Sequence, residues 1–124
     1  MAARRPKYLN LFKIHLPVTG MVSLAHRASG VALFVSIPFC VWLLERSLAS
    51  EQSYAEALAL LQQPVVKLLT FVVLWALAHH FFAGIRFLLI DVDIGVEKSA
   101  SRIGAWLVFG AELLVVAALL GAML

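Results

Sequence analysis

Three long apolar stretches, residues 21–44, 64–90 and 103–124, limit what this chain can fold into. As a helix rising about 1.5 Å per residue, each is long enough to cross a hydrocarbon layer of about 30 Å. Lipid offers no hydrogen-bond partners, so a single segment in it must satisfy its own backbone, and only a helix does so. A transmembrane barrel would need strands alternating apolar and polar residues, and no such alternation is present. Composition agrees: 63% of the 124 residues are hydrophobic and 14% are charged, with a mean hydropathy of +0.97. A soluble globule of this length would lack the polar residues to cover its exterior. The expected fold is an all-α integral membrane protein with three transmembrane helices.

The organisation that follows is an N-terminal segment 1–20, spans at 21–44, 64–90 and 103–124, and connections at 45–63 and 91–102. Arg4, Arg5, Lys7 and Lys13 precede the first span with no acidic residue among them, which places that end in the cytoplasm. The first connection sets Arg46 against Glu45, Glu51 and Glu56, whereas the second carries Lys98 and Arg102, so the first lies outside and the second inside. These cations sit at membrane borders and are not interleaved with exposed aromatics. The basic pI of about 9.4 therefore reads as a topology signal, and no nucleic-acid partner is expected. No small-residue cleavage site precedes the first span, which is expected to serve as its own insertion signal. Cys40, the single cysteine, rules out an intrachain disulfide and is expected to pack within the first helix. In segment 51–63, Tyr54, Leu58 and Leu61 recur at helical spacing and predict a short interfacial helix. Pro64 then opens the second span and Gly95 punctuates the inner connection.

Polar residues inside the spans carry the functional information, because a charge at the centre of a membrane helix costs about 2.5–3.5 kcal/mol on insertion scales. Arg27 lies about a turn and a half into the first span, and Ser23, one turn earlier, shares its face. Together they offer a cation and a hydroxyl to an anionic or carbonyl-bearing ligand. The plainer alternative is that Arg27 snorkels to the headgroups. His26 beside it and Gly30 one turn deeper add to the polar convergence.

His79 and His80 are adjacent in the second span and point about 100° apart, so at most one of them ligates a given metal from this helix. Gly84 and Ala76 flank His80 by one turn and leave room for a flat macrocycle. Ala76 and Ala83 do the same for His79, so spacing does not choose between them. A histidine that only packs helices together is the plain alternative for either. Were a haem held here, no other span histidine lies at matching depth, so its second axial ligand would come from another chain. His26, Arg27 and Arg86 would then be available to its propionates.

The order of these residues resembles the cytochrome b subunits of succinate dehydrogenase: Arg5-Pro6 followed by Leu9 and Leu11, Pro17-Val18-Thr19, Ser23, the run His26-Arg27-Ala28-Ser29-Gly30, then His80, Gly84-Ile85-Arg86 and Asp91. Each piece is weak alone, but the set extends over nearly the whole chain. The resemblance implies a haem b shared with a second small membrane-anchor subunit, with His80 as axial ligand and His79 a neighbour. It implies a quinone headgroup at Ser23 and Arg27, and haem propionates near His26 and Arg27. It further implies an iron–sulfur subunit and a flavoprotein subunit that deliver electrons from succinate, and residence in a bacterial inner membrane with the N-terminus cytoplasmic. One departure is visible, because relatives often read Gly-Ile-Arg-His where this chain has Gly84-Ile85-Arg86-Phe87. Asp91 is expected to make a polar contact in the inner loop. A fumarate reductase anchor, or a small transport or scaffold bundle without cofactor, are the competing expectations.

Overall fold

The computed structural model of the chain describes residues 13–123. Arg4, Arg5, Lys7 and the Arg5-Pro6, Leu9 and Leu11 pattern lie outside the described residues. Four helices follow one another: α1 (Val18–Ala49), α2 (Glu51–Gln62), α3 (Pro64–Asp91) and α4 (Lys98–Met123). No strand occurs among the described residues. The three long helices are each apolar and long enough to cross a membrane.

Helix α1 has 32 residues and so measures about 48 Å, which exceeds the hydrocarbon layer and reaches through the headgroup zones. Pro38 lies inside it, and the neighbouring Ser36 hydroxyl bonds the Leu33 carbonyl at 2.7 Å. Such side chains help a membrane helix tolerate the amide that proline lacks. The chain then turns within one residue. Ser50 leaves helical geometry and its Oγ accepts the Ser53 amide at 3.0 Å, capping α2. Pro64 occupies the first turn of α3, where its missing N–H costs nothing. After α3, the Ile94 amide reaches back to the Leu89 carbonyl at 2.9 Å, and Asp93 and Gly95 take positive φ values of 62° and 80°. Gly95 is the residue type suited to that region.

Helix bounds run past the apolar stretches, and one expectation changes. Helix α4 begins at Lys98, within the stretch read as connection, because the polar residues Lys98–Arg102 still form a turn. The Ser101 amide bonds the Glu97 carbonyl at 2.7 Å, and α3 holds Ser101 from the side. Cys40 is exposed on α1, so it is not buried among the described residues. In α2 the residues turned inward are Ser53 and Ala57, while Tyr54 and Leu58 face outward.

The helices meet at one end. Val22 of α1, Ala83 of α3, and Ala105 and Val108 of α4 form the buried cluster, edged by Val18, Phe82, Phe87 and Phe109. Small residues predominate because lipid tails are as apolar as leucine, so close backbone approach and polar contacts, not apolar burial, draw membrane helices together. Ser29, His79, Arg86 and Glu112 are also buried. Elsewhere the large side chains of α1, among them Val31, Phe34, Val35, Leu44 and Leu48, are exposed, as suits a surface covered by lipid or by partner helices.

Candidate haem and quinone site

The adjacent histidines of α3 face different helices, as their 100° separation requires. His79 turns to α4. It is 4% exposed, and its Nδ1 lies 2.8 Å from Glu112 Oε2 while its Nε2 lies 3.4 Å from the Val22 carbonyl. The Trp75 indole N–H donates to the other oxygen of Glu112. A carbonyl can only accept, so the Val22 contact requires the proton on Nε2. The Glu112 carboxyl thus has a ring nitrogen and an indole N–H as partners, and such pairing lets a carboxyl group sit inside an apolar span.

His80 turns to α1. Its Nδ1 is 3.1 Å from the His26 carbonyl and 3.2 Å from Ser29 Oγ. The Ser29 hydroxyl itself donates to that carbonyl at 2.8 Å. By the same reasoning, the carbonyl contact fixes the proton of His80 on Nδ1, which leaves the Nε2 lone pair free. Nε2 has no hydrogen-bond partner among the described residues. A ring nitrogen tied to a backbone carbonyl with the opposite nitrogen bare is the arrangement of a histidine prepared to bind metal. His79, with both nitrogens engaged, has no lone pair to offer.

Around His80 the chain is trimmed to glycine. A Cβ on Gly30 would stand 3.1 Å from His80 Cε1, and one on Gly84 would stand 3.7 Å from His26 Nε2. The His26 ring stacks on that of His80, with centroids 4.1 Å apart and an interplanar angle of 11°. Phe87 lies tilted against His26, with ring centroids 5.1 Å apart. Replacing Gly30 by alanine is expected to push the anchored ring by a few tenths of an ångström, at the overpacking cost of about 1–3 kcal/mol. Were haem held through His80, the haem bound per complex should therefore fall severalfold, as measured by pyridine haemochrome. Gly84→Ala, an ordinary contact, should stay near wild type.

Next to His26 of this stack, Arg27 donates to Oγ of Ser23, one turn earlier, at 3.1 Å. The two residues expected to act together are thus in contact, on the same helix as His26. Arg86 is placed differently. It is 8% exposed and donates to Ser101 Oγ and the Ser101 carbonyl at 2.8 and 3.2 Å, so its guanidinium serves the α3–α4 contact and not the His26 side. Asp91 is exposed at the end of α3. A groove of about 640 Å³ between α1 and α4, lined by Met21, Lys98, Arg102 and Trp106, shares no residue with the histidine stack.

Sequence reasoning passed over Glu112, Trp75 and the partnership of Ser29 with His80. Glu112 carried a signal, since an acidic residue inside an apolar span needs a partner. Ser29 carried none, because a helical serine ordinarily bonds its own backbone, as it also does here.

The succinate dehydrogenase/fumarate reductase transmembrane subunit family matches residues 1–119. The chain belongs to this family. It is similar to the succinate dehydrogenase cytochrome b556 subunits of Coxiella burnetii, at 38% identity over 88% of each chain, and of Paracoccus denitrificans, at 31% identity over 94% of this chain and 90% of that one. The corresponding subunit of Rickettsia felis is 30% identical over 85% of this chain and 82% of its own. Membership makes this an anchor subunit that crosses the membrane, and accounts for the large apolar surface left uncovered by its own helices.

Proposed function

We propose that the chain is the cytochrome b anchor of a succinate:quinone oxidoreductase, holding haem b through His80 and a quinone headgroup at Ser23 and Arg27. The observation that carries this reading is the placement of His80, with Nδ1 3.1 Å from the His26 carbonyl and Nε2 without a hydrogen-bond partner among the described residues. The setting supports it: glycine at the two positions where a side chain would crowd the histidines, and a cation within the same two turns of α1.

Haem b, when bound, supplies a one-electron site between the iron–sulfur subunit and the quinone pool. The work of this chain is to hold and tune. The Nδ1 hydrogen bond sets the plane of the His80 ring and raises the basicity of Nε2. His26 and Arg27 are the cationic or donor groups placed to meet propionates. Ser23 accepts from Arg27 through Oγ and keeps its own O–H free to donate to a quinone carbonyl, where negative charge grows as electrons arrive. A second small anchor subunit would supply the remaining protein ligand to the haem, and the two subunits would sit in a bacterial inner membrane with the N-terminus of this chain cytoplasmic.

The test is the complex purified with its native partners. Its reduced-minus-oxidised spectrum is expected to carry a low-spin haem band, and succinate is expected to reduce quinone. An assembled, succinate-oxidising complex with no haem band would overturn the haem assignment and leave a cofactor-free anchor.

A further inference from the structure

Helix α3 is apolar all round, so hydrophobicity does not choose which of its faces meets which neighbour. A rotation of one residue step, about 100°, would exchange His79 for His80. Something polar must fix the rotation, because apolar burial contributes little between helices in lipid. The candidate is Glu112 of α4. Its two carboxyl oxygens take two partners, the Trp75 indole N–H and His79 Nδ1. Those residues are four apart on α3 and so lie on one face in successive turns. Gripping two turns fixes both the rotation of the helix and its height. Farther along the same stripe Arg86 holds Ser101 of α4 at 2.8 Å. With that stripe turned to α4, the stripe carrying His80 is directed at the His26 carbonyl and Ser29 of α1.

We propose that Glu112 is a positioning residue for the haem ligand, acting through Trp75 and His79 to set the rotation of α3 that presents His80. This rests on the reading of His80 as the axial ligand. Removing Glu112 alone would leave the buried His79 Nδ1 without its partner, which destabilises by itself. The decisive variant is therefore the double replacement Glu112→Leu with His79→Leu, which removes both members of the pair together.

The assay is the haem content of the assembled complex together with the low-field g value of its low-spin haem, a measure of axial-ring orientation. In the double variant we expect haem retention about tenfold weaker, the lower end of what losing a group that orients a metal ligand costs, and a displaced g value in the haem that remains. Glu112→Gln, whose amide can accept from Trp75 and donate to His79, should restore the wild-type signature. If the double variant assembles poorly, Trp75→Phe removes one arm of the clasp and leaves the pair, and should displace the g value in the same direction. Wild-type haem content and g value in the double variant, or in Trp75→Phe where that variant decides, would overturn the proposal. His80→Ala measured alongside separates the two readings: haem retained there sinks the ligand assignment, whereas haem lost there with unaltered Glu112 variants sinks only the positioning role.

Discussion

The complex carrying His80→Ala is expected to contain less than about a tenth of the wild-type haem b, because loss of a group that merely orients a metal ligand already costs about 10–100-fold. His79→Ala should behave differently. His79 has its nitrogens committed to Glu112 and to the Val22 carbonyl, so its removal disturbs the face of α3 turned to α4 and leaves the Nε2 lone pair of His80 in place. A low-spin band should persist in that variant, weakened and with altered ligand orientation. Imidazole added from solution offers a second measurement. It should restore a low-spin spectrum to His80→Gly, where it can take the ring's place beneath the His26 carbonyl, and should do nothing for His79→Gly. Loss of the band in His79→Ala with retention in His80→Ala would reverse the assignment.

These two histidines also show what was legible in the sequence. Three membrane helices followed from apolar length alone, and that two adjacent histidines cannot share a metal followed from helix geometry. Which of them faces α1 did not follow, because α3 has no apolar face to orient it and small residues flank both positions. The answer depends on contacts distant in sequence: the His26 carbonyl on one side and Glu112 on the other. A backbone carbonyl is invisible to motif reading, since every residue has one. Glu112 was readable as an acid in an apolar span, but its partner was not, since the choice among polar residues on other helices is made by packing. The start of helix α4 was not legible for a related reason. Hydropathy reports where lipid begins, whereas the helix extends as far as its hydrogen bonds continue, and the turn Lys98–Arg102 is polar but still bonded. Ser23 and Arg27, by contrast, were legible as a pair because they are one turn apart on the same helix.

That pair gives the second large effect expected, on quinone reduction with haem content preserved. Arg27 donates to Ser23 Oγ at 3.1 Å, so the guanidinium both orients the hydroxyl and polarises it, and the hydroxyl hydrogen remains to meet a carbonyl oxygen. Loss of one such donor to a developing oxyanion costs about 10²–10³ in rate. Arg27→Ala removes the cation and frees the serine to turn elsewhere, so succinate–quinone turnover should fall about 100-fold or more. Ser23→Ala removes the donor but leaves the charge, and its cost should fall at the lower end of that range, about 100-fold. Arg27→Lys should not rescue fully, because an ammonium replaces the planar fork that can hold serine and quinone together. The double variant is the stricter measurement. Groups acting as one unit are not additive, so Ser23→Ala should add little once Arg27 is gone. Throughout the series the low-spin haem band should largely remain, since His80 and its carbonyl partner are untouched and only the propionate contact proposed for Arg27 is lost. Wild-type quinone kinetics in Arg27→Ala would remove the pair from the site and return Arg27 to a headgroup anchor. Multiplied rather than saturating losses in the double variant would mean that the two side chains act on quinone separately.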